Sequence, residues 1–395
     1  MTQTALDAIR RFAPELDAIR QDLHAHPELG MEEHRTAEIV ARKLEEWGIE
    51  VHRGVGRTGV VGVLRSGNGP GAIGLRADMD ALPITEENQF AYRSQASGVM
   101  HACGHDGHTA TLLGTARYLA ETRRFNGTVN FIFQPGEEGC GGALAMLEDG
   151  LFDRFPCDSV YALHNHVDLE LGKFAIRKGA MCASGAFFDI AIEGRGAHGA
   201  YPHEGVDPVL AASQMITALQ SVVSRNVKPT DTAVVSVTRV TAGNAYNVIP
   251  KSAELAGTAR AFRRETMAMI EQRMRQVVEQ VAAAFGARAT LDFRVLFAPL
   301  VNDPAEAMAF ADAAADLVGE AAVDREFAPS MGSEDFSFML EKVPGAYIVL
   351  GQGDMGGAAH SPTYNYNDAA TPLGAAVFAR MVERRLGREV GREVE

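Results

Sequence analysis

The chain has 395 residues, of which 46% are hydrophobic and 22% are charged, a composition typical of a soluble globular protein. That length is too great for one comfortable core and suits two domains. Because 37 Lys and Arg face 51 Asp and Glu, the formal net charge is −14, which argues against nucleic acid or an anionic membrane as a partner.

The first predicted element is an amphipathic helix from Met1 to Arg20, where charged and apolar residues alternate without the apolar run of a signal peptide. No apolar stretch approaches the length that spans a bilayer. The four cysteines form no CxxC pair and are too few for a disulfide scaffold. We therefore expect a reduced, cytoplasmic protein.

Strand and helix signals alternate through the first half of the chain. The pattern predicts, in chain order, strands at Val60–Leu64 and Ala72–Arg76, a helix at Asp106–Ala120 with Asp106 as its N-cap, a strand at Thr128–Phe133, a helix at Gly142–Glu148 and a strand at Ser159–Leu163. Strands that alternate with helices argue for an α/β fold with a mostly parallel sheet flanked by helices.

The pattern changes after about Ala183. It predicts a strand at Phe187–Ile192, a helix at Asp207–Ser224, strands at Thr232–Val240 and Ser252–Phe262, a helix at Glu265–Phe285 and a strand at Ala289–Leu296. This β-α-β-β-α-β order is the ferredoxin-like signature and indicates an inserted α+β domain at residues 185–298.

From about Pro299 the alternation resumes. The pattern predicts a helix at Pro304–Leu317, a strand at Ala346–Leu350 and a helix at Asp368–Leu386. Residues 1–184 and 299–395 are therefore expected to form the two parts of one domain.

Potential metal ligands cluster where the predicted strands end. Six such side chains follow strands of the first domain: Asp78, Asp80, Glu137, Glu138, His164 and His360. The carboxyl ends of strands are where ligands bind in open α/β sheets. Several motifs at the same edge indicate a functional site more strongly than any one of them.

The stretch HACGHDGH at residues 101–108 adds Cys103 and His105 at the start of a predicted helix. Recurring Cys, His and carboxylate groups suit a catalytic transition-metal site, and five or more ligands suggest two ions that share one of them. The helix N-terminus is expected to favour the thiolate form of Cys103. The spacing leaves His101 and His108 open as further ligands.

The adjacent Glu137 and Glu138 suggest a division of roles. One carboxylate binds metal, and its neighbour takes the proton of a water, which gives a hydroxide nucleophile near neutral pH. An acidic surface loop is the alternative, but the flanking Pro135-Gly136 and Gly139 favour a fixed turn after a strand. Asp80 is expected to orient a ligand.

The inserted domain offers weaker candidates. His198 follows a glycine-rich turn, and Asn247 lies in YNVIP; from the residues alone both fit solvated loop positions. Arg260, near the end of an apolar strand, either clamps a carboxylate or pairs with an acidic neighbour. His166 and His203 are expected to be ordinary surface or core residues.

The chain resembles the aminoacylase/carboxypeptidase family of metal-dependent amidohydrolases, and within it the branch of hippurate hydrolases, N-acyl-amino-acid amidohydrolases and auxin-conjugate hydrolases. The motifs that carry the resemblance are RADMDALP (76–83), MHACGHDGHT (100–109), QPGEEG (134–139), LHNH (163–166), GRGAH (194–198), YNVIP (246–250), SEDF (333–336) and HSPTYNYND (360–368). The resemblance implies a di-metal exopeptidase-like catalytic domain with a smaller lid domain that also dimerises, in a homodimer or a dimer of dimers.

The resemblance also implies a set of site residues. Two divalent ions (Zn, Mn, Co or Ni) would be held by Cys103, His105, Glu138, His164 and His360. Glu137 matches the general base, and Asp80 matches a carboxylate that supports a metal ligand.

In the lid, His198 matches the histidine that steadies the oxyanion and reaches the partner subunit's site. Asn247 and Arg260 match residues that contact the substrate, the latter its carboxylate.

Some positions depart from the pattern of this family. Asp78 stands where wider relatives have a His, Cys140 where the branch usually has Gly, and Val167 where it has Pro. Ala186-Phe187 replaces an expected polar pair near the hinge to the lid. These departures bear on substrate preference and lid movement.

The expected activity is hydrolysis of an N-acyl amino acid to a carboxylic acid and a free amino acid. Two alternatives remain: a dipeptidase or carboxypeptidase of the same family, and a metal-binding protein without catalysis. The presence of Glu137, which turnover needs and ligation does not, disfavours the second.

Overall fold

The computed structural model describes residues 4–387. These residues form two compact units, the first from residues 4–181, 301–328 and 335–387 and the second from Cys182–Leu300 and Pro329–Glu334. The helices are α1 (Ala5–Arg10), α2 (Ala13–Ala25), α3 (His34–Glu46), α4 (His105–Thr122), α5 (Gly142–Glu148), α6 (Leu151–Arg154), α7 (Pro208–Ser221), α8 (Arg264–Ala284), α9 (Pro304–Val318), α10 (Phe336–Leu340) and α11 (Thr371–Arg385).

Strands account for most of the remaining regular structure. They are β1 (Glu50–Val55), β2 (Gly59–Ser66), β3 (Ala72–Asp78), β4 (Gly127–Gln134), β5 (Ser159–His166), β6 (Phe174–Ala175), β7 (Gly179–Cys182), β8 (Ser184–Glu193), β9 (Ala197–His198), β10 (Ala233–Ala242), β11 (Val248–Ile249), β12 (Ser252–Ala261), β13 (Arg288–Phe297), β14 (Leu300–Asn302), β15 (Val323–Asp324) and β16 (Gly345–Gly351).

The first unit is built on an eight-stranded mixed sheet in the order β1-β2-β4-β3-β5-β16-β6-β15. Its centre, β4-β3-β5-β16, is parallel throughout, and β1, β2 and β6 add antiparallel pairs. The central strands are apolar and almost wholly buried, as strands covered on both faces must be. The predicted α/β fold with a largely parallel sheet is confirmed.

Helix α4 positions the residues that start it. It packs against α2, α11 and β3. Its polar first turn is buried, and so are its apolar residues Leu112, Leu113, Ala116 and Leu119. Because the helix is enclosed by the core, its N-terminal turn is held rigidly against the strand ends.

The second unit is a four-stranded antiparallel sheet in the order β10-β12-β8-β13, with α7 and α8 packed on one face. Along β8 the side chains alternate, so that Phe188, Ile190 and Ile192 are buried while Phe187 is exposed. The order β8-α7-β10-β12-α8-β13 is the predicted β-α-β-β-α-β order, and the ferredoxin-like prediction is confirmed. The lid and dimerisation roles of this unit stay predictions.

Several local predictions are wrong. The helix expected from Met1 to Arg20 is two helices, because α1 ends at Arg10 and Pro14 starts the first turn of α2; Met1 to Gln3 lie outside the described residues. Asp106 is not the N-cap of α4; Gly104 is. The last predicted helix begins later, at Thr371, after a 3-10 turn.

Among the described residues, no helix combines the length and the apolar character that crossing a bilayer requires.

Candidate metal centre

The carboxyl ends of three neighbouring parallel strands bring the acidic candidates together. Asp78 is the last residue of β3, Asp80 follows two residues later, and Glu137 and Glu138 follow β4. His164 differs from the prediction, because it lies inside β5 rather than after it.

Gly104 makes the turn that presents Cys103 and His105. Its φ of 98° is left-handed, and a Cβ there would lie 2.3 Å from Asn165 Oδ1 and 2.5 Å from the Tyr364 hydroxyl. Only glycine fits both the backbone angle and the space. The Cys-Gly-His order therefore places a thiol and an imidazole on the two sides of a tight turn into α4.

Among the described residues, potential ligands form five groups in which all ligand atoms lie within 4.8 Å of one another. Three of these groups include Asp78, His108 or Glu137, and the other two overlap at Cys103. One group is Cys103, His105 and His164, and the other is Cys103, Glu138 and His360. Because Cys103 belongs to both groups, the arrangement suits two ions that share one ligand. The structure thus brings together all five residues that the family resemblance implies as ligands.

Asp80 contacts both groups through its two carboxylate oxygens. Oδ1 lies 3.1 Å from His105 Nδ1, and Oδ2 accepts a hydrogen bond of 2.9 Å from the backbone N–H of Glu138. A carboxylate that holds the far nitrogen of a histidine is the usual support of a metal-binding imidazole.

Two histidines, buried His105 and half-buried His164, each direct one ring nitrogen into the site. With Nδ1–H donated to Asp80, His105 keeps a lone pair on Nε2, which is buried and has no hydrogen-bond partner among the described residues. His164 donates Nδ1–H to its neighbour's backbone oxygen at 2.7 Å, which leaves Nε2 3.4 Å from Cys103 Sγ. Burial and the nearby His108 lower the pKa of His164 well below its usual value. At His105 burial opposes the charged ring, but Asp78 and Cys103 raise its pKa well above the usual value. A metal ion at His105 Nε2 would take the place of the second ring proton, and His164 offers a neutral ring.

The Cys103 thiol also fits a cation. Burial and the Glu138 carboxylate raise the pKa of this thiol to about 12. Burial therefore opposes the thiolate that the start of α4 is expected to favour. A metal ion at the sulfur supplies the charge that a buried thiolate needs.

His360 completes the second group from a strained backbone. Its φ is 64°, its N–H donates to Ala102 O at 2.7 Å, and its Nε2 lies 3.0 Å from Glu138 Oε1. The hydrogen bond to Glu138 raises the pKa of His360. A non-glycine residue held in the left-handed region is typical of functional sites.

Glu137 is buried, 7% exposed, and its carboxylate lies within 4.8 Å of ligand atoms of His105 and Glu138. The loop that carries it is fixed by Glu33, which accepts hydrogen bonds from the backbone of Gly136 at 2.8 Å and Met31 at 2.9 Å. Glu33 is not among the residues predicted from the sequence, because it offers no local signal.

Asp335 is a second residue that fixes the loop of Glu137, and it is also absent from the candidates predicted from the sequence. It accepts hydrogen bonds from Gln134 Nε2 at 2.7 Å and from Ala143 N at 2.9 Å, and its own N–H lies 3.4 Å from Glu137 Oε1. The SEDF motif was the signal that could have found it.

The other histidines of the motif take structural positions. His108 uses both ring nitrogens, on Asp78 Oδ1 at 2.6 Å and on Asn165 Oδ1 at 2.7 Å, so it is not free to bind metal. His101 is buried outside the ligand groups, and burial lowers its pKa to about 4. Asp78 lies between His108 and His105 Nε2, 3.7 Å from the latter.

The lid candidates lie in the second unit. His198 in β9 pairs with Val248 in β11, and Asn247 O accepts a hydrogen bond of 2.7 Å from Gly199 N. The backbone N–H of Ala200 donates to His198 Nδ1 at 3.0 Å, which leaves the ring proton on exposed Nε2. Arg260 in β12 is half-buried.

Comparison with known proteins gives a consistent result. The family model "Peptidase family M20/M25/M40" matches residues 74–384. The hippurate hydrolase of Campylobacter jejuni is 44% identical over 374 residues, which cover 94% of this chain and 97% of that protein. IAA-amino acid hydrolase ILR1-like 2 of Arabidopsis thaliana is 41% identical, with 93% of this chain and 84% of that protein covered.

A solved structure agrees with the fold. The Bacillus subtilis YXEP protein, described as a dinuclear metal binding peptidase of the M20 family, superposes with a TM-score of 0.82 at 36% identity, covering 95% of this chain and 99% of that one.

Proposed function

The chain belongs to peptidase family M20/M25/M40, and from that premise we propose that it hydrolyses the amide bond of N-acyl amino acids to a carboxylic acid and a free amino acid. The observation that carries the proposal is the buried carboxylate of Glu137 beside ligand atoms of His105 and Glu138. A buried carboxylate beside a metal centre is suited to proton transfer.

The proposed metal ligands are Cys103, His105, Glu138, His164 and His360, with Cys103 common to both ions. Bound divalent ions, of the Zn, Mn, Co or Ni class, polarise the amide carbonyl and acidify water. Asp80 fixes the His105 ring and the Glu138 backbone, so the ligands are oriented before any ion arrives.

Glu137 is proposed to take the proton of the attacking water and to return it to the leaving amine. Its loop is anchored by Glu33 and Asp335, which holds the carboxylate in one position through both transfers. General acid–base catalysis of this kind contributes roughly 100- to 10,000-fold to the rate.

His198 is proposed to stabilise the oxyanion of the tetrahedral intermediate. Its tautomer supports this role, because Nδ1 accepts from Ala200 and Nε2–H is left to donate. Asn247 and Arg260 are proposed to contact the substrate, Arg260 through the carboxylate of the amino acid.

The names of the relatives point to the substrate class. One acts on hippurate and another on IAA-amino acids, so we propose an aromatic acyl group on an amino acid with a free carboxylate. A dipeptidase is the second candidate, because the solved relative is described as a peptidase.

The test is the release of free amine from N-benzoyl, N-acetyl and indole-acetyl amino acids and from Gly-X dipeptides. The enzyme is measured as purified, after chelation, and after addition of Mn²⁺, Co²⁺, Zn²⁺ or Ni²⁺. Release from acyl amino acids that chelation abolishes and metal restores supports the proposal. Release from dipeptides alone favours the second candidate, and release from neither overturns both.

The homodimer or dimer of dimers and the cytoplasmic location stay predictions. In a dimer, His198 of one subunit is proposed to serve the site of its partner. A monomer with full activity, found by light scattering at assay concentration, would contradict that role.

A further inference from the structure

The face of the second unit's sheet opposite α7 and α8 carries three arginines in different electrostatic settings. Arg239 and Arg294 share one acid: Asp189 Oδ1 lies 3.0 Å from Arg239 Nη2, and Asp189 Oδ2 lies 2.5 Å from Arg294 Nη2. The charges of these two arginines are compensated within the sheet.

Arg260 has no such partner. Its Nη1 donates to the Thr258 hydroxyl and, at 2.9 Å, to Ala259 O, and no carboxylate among the described residues pairs with it. Burial lowers the pKa of Arg260. A half-buried cation without an acid is costly to keep. Because both hydrogen bonds use Nη1, the other edge of the guanidinium stays free for a planar anion.

Phe187 provides the surface on which this guanidinium lies. Arg260 Cζ is 5.9 Å from the centroid of the Phe187 ring, within the range of a cation–π interaction. Phe187 lies opposite Thr258 on the neighbouring strand, and the Thr258 hydroxyl donates to Ala186 O at 3.1 Å. The ring, the hydroxyl and the guanidinium form one connected set between β8 and β12.

Phe187 is 43% exposed and lies outside the buried core of its unit. A large aromatic side chain left open to solvent gains little stability from burial. The exposed ring is therefore available to the Arg260 guanidinium on this face of the sheet.

We propose that Phe187 is a positioning residue that holds the Arg260 guanidinium with its free edge toward the substrate carboxylate. The pair thereby selects amides whose amino-acid part carries a free carboxylate. The inference rests on the proposed function, but the contact it invokes lies wholly within the second unit. The aromatic ring, rather than an acid, is used because an acid would neutralise the charge that the substrate must meet.

The first test is steady-state kinetics of the full chain on N-benzoylglycine and on N-benzoylglycinamide, which lacks the charge. Phe187→Leu is expected to raise KM for N-benzoylglycine about 3- to 30-fold, the size of a cation–π contact. We expect kcat to stay within about twofold and KM for the amide to be unaffected. Phe187→Tyr retains an aromatic face and is expected to restore the wild-type KM.

Val240→Ala is the matched control, since Val240 is an exposed apolar residue of the same sheet, opposite Leu255 rather than beside Arg260. It is expected to change neither KM. If Phe187→Leu alters both substrates alike, or if Phe187→Tyr fails to restore KM, the side chain has only a structural role and the inference is wrong.

A second test needs no turnover. In a Glu137→Gln background, calorimetry gives the Kd of N-benzoylglycine with and without Phe187→Leu, and we expect the same 3- to 30-fold weakening. An unchanged Kd overturns the inference, whatever the wild-type activity. If the wild-type enzyme is inactive but the Kd still depends on Phe187, the proposed function is wrong and the anion site is supported.

Discussion

At the residue scale, hydrogen bonds to single atoms orient the proposed metal ligands. One carboxylate oxygen of Asp80 contacts the His105 ring, and the other accepts a hydrogen bond from the Glu138 backbone. One carboxylate thus aligns two different ligands. His105 is left with a buried, unpartnered nitrogen. Buried polar atoms are normally paired, and the exceptions call for a partner that the protein itself does not supply.

Glu137 gives the sharpest prediction at this scale. Glu137→Ala is expected to keep its metal content and to lose roughly 100- to 10,000-fold in kcat, because the base is removed and the proposed ligands are not. Metal analysis by mass spectrometry and amine release measure the two effects separately. Glu138→Ala is the comparison, and it is expected to lose metal as well. Normal turnover in Glu137→Ala would remove it from the mechanism.

At the scale of elements, three helices of the first unit begin at a left-handed glycine, and two of them, α4 and α5, do so under different constraints. Gly104 precedes α4 with φ 98°, and Gly141 precedes α5 with φ 72°. A Cβ at Gly104 would collide with Asn165 and Tyr364, whereas a Cβ at Gly141 would meet nothing within 4 Å. Alanine substitutions at Gly104 and Gly141 therefore distinguish the cost of backbone strain from the cost of crowding at the metal centre.

Gly141→Ala is expected to cost about 1 kcal/mol, from the unfavourable φ alone. Gly104→Ala is expected to cost about 2–4 kcal/mol, because overpacking is added, and to weaken metal binding about 10- to 100-fold as the ligand turn shifts. Urea unfolding followed by the fluorescence of Trp47, the single tryptophan, which packs on the core of the first unit, measures stability. Equal effects of the two variants would contradict the crowding argument.

Elements also show how far the sequence predicts the site. Periodicity predicts β3 and β4 within a few residues, and the acidic pairs that follow them are local signals. Glu33 was missed because its hydrogen bonds to the Gly136 turn cross more than a hundred residues and leave no pattern in its own neighbourhood.

Two further misses have local causes. The sequence pattern does not predict the break between α1 and α2, because hydrophobic periodicity continues across it. Pro14, in the first turn of α2, is the local signal of the new helix. The sequence predicts Asp106 as the N-cap of α4, because an acidic side chain suits that position. The backbone instead needs glycine there, and Asp106 turns inward to His24 at 2.9 Å.

On the scale of the whole molecule, His24 couples stability to pH. It lies buried between Asp106 and Glu86, at 2.9 and 3.1 Å, and Arg20 approaches the same Asp106. Burial opposes its charge, but the two carboxylates raise the pKa of His24 to about 9 from an ordinary value of 6.5. The folded state therefore holds this proton more tightly than the unfolded chain does.

The contribution of His24 is expected to be complete below pH 6.5 and to be lost as the pH rises through about 9, by at most about 3 kcal/mol. Unfolding free energies from Trp47 fluorescence at several pH values test this in wild type and in His24→Gln, which should depend less on pH in that window. His52→Gln, at a more exposed histidine, should follow wild type. Parallel curves for wild type and His24→Gln would refute the coupling.

The position of β16 between β5 and β6 has a consequence for synthesis on the ribosome. β5 ends at His166 and its parallel neighbour begins at Gly345, after the whole second unit has been made. At a translation rate of roughly 5–20 residues per second, the apolar edge of β5 stays unpaired for on the order of 10–40 s before β16 is synthesised. An open apolar strand edge pairs readily with other chains. The nascent chain should therefore depend on chaperones during that interval, and slowing translation after residue 166 should lower the yield of folded enzyme.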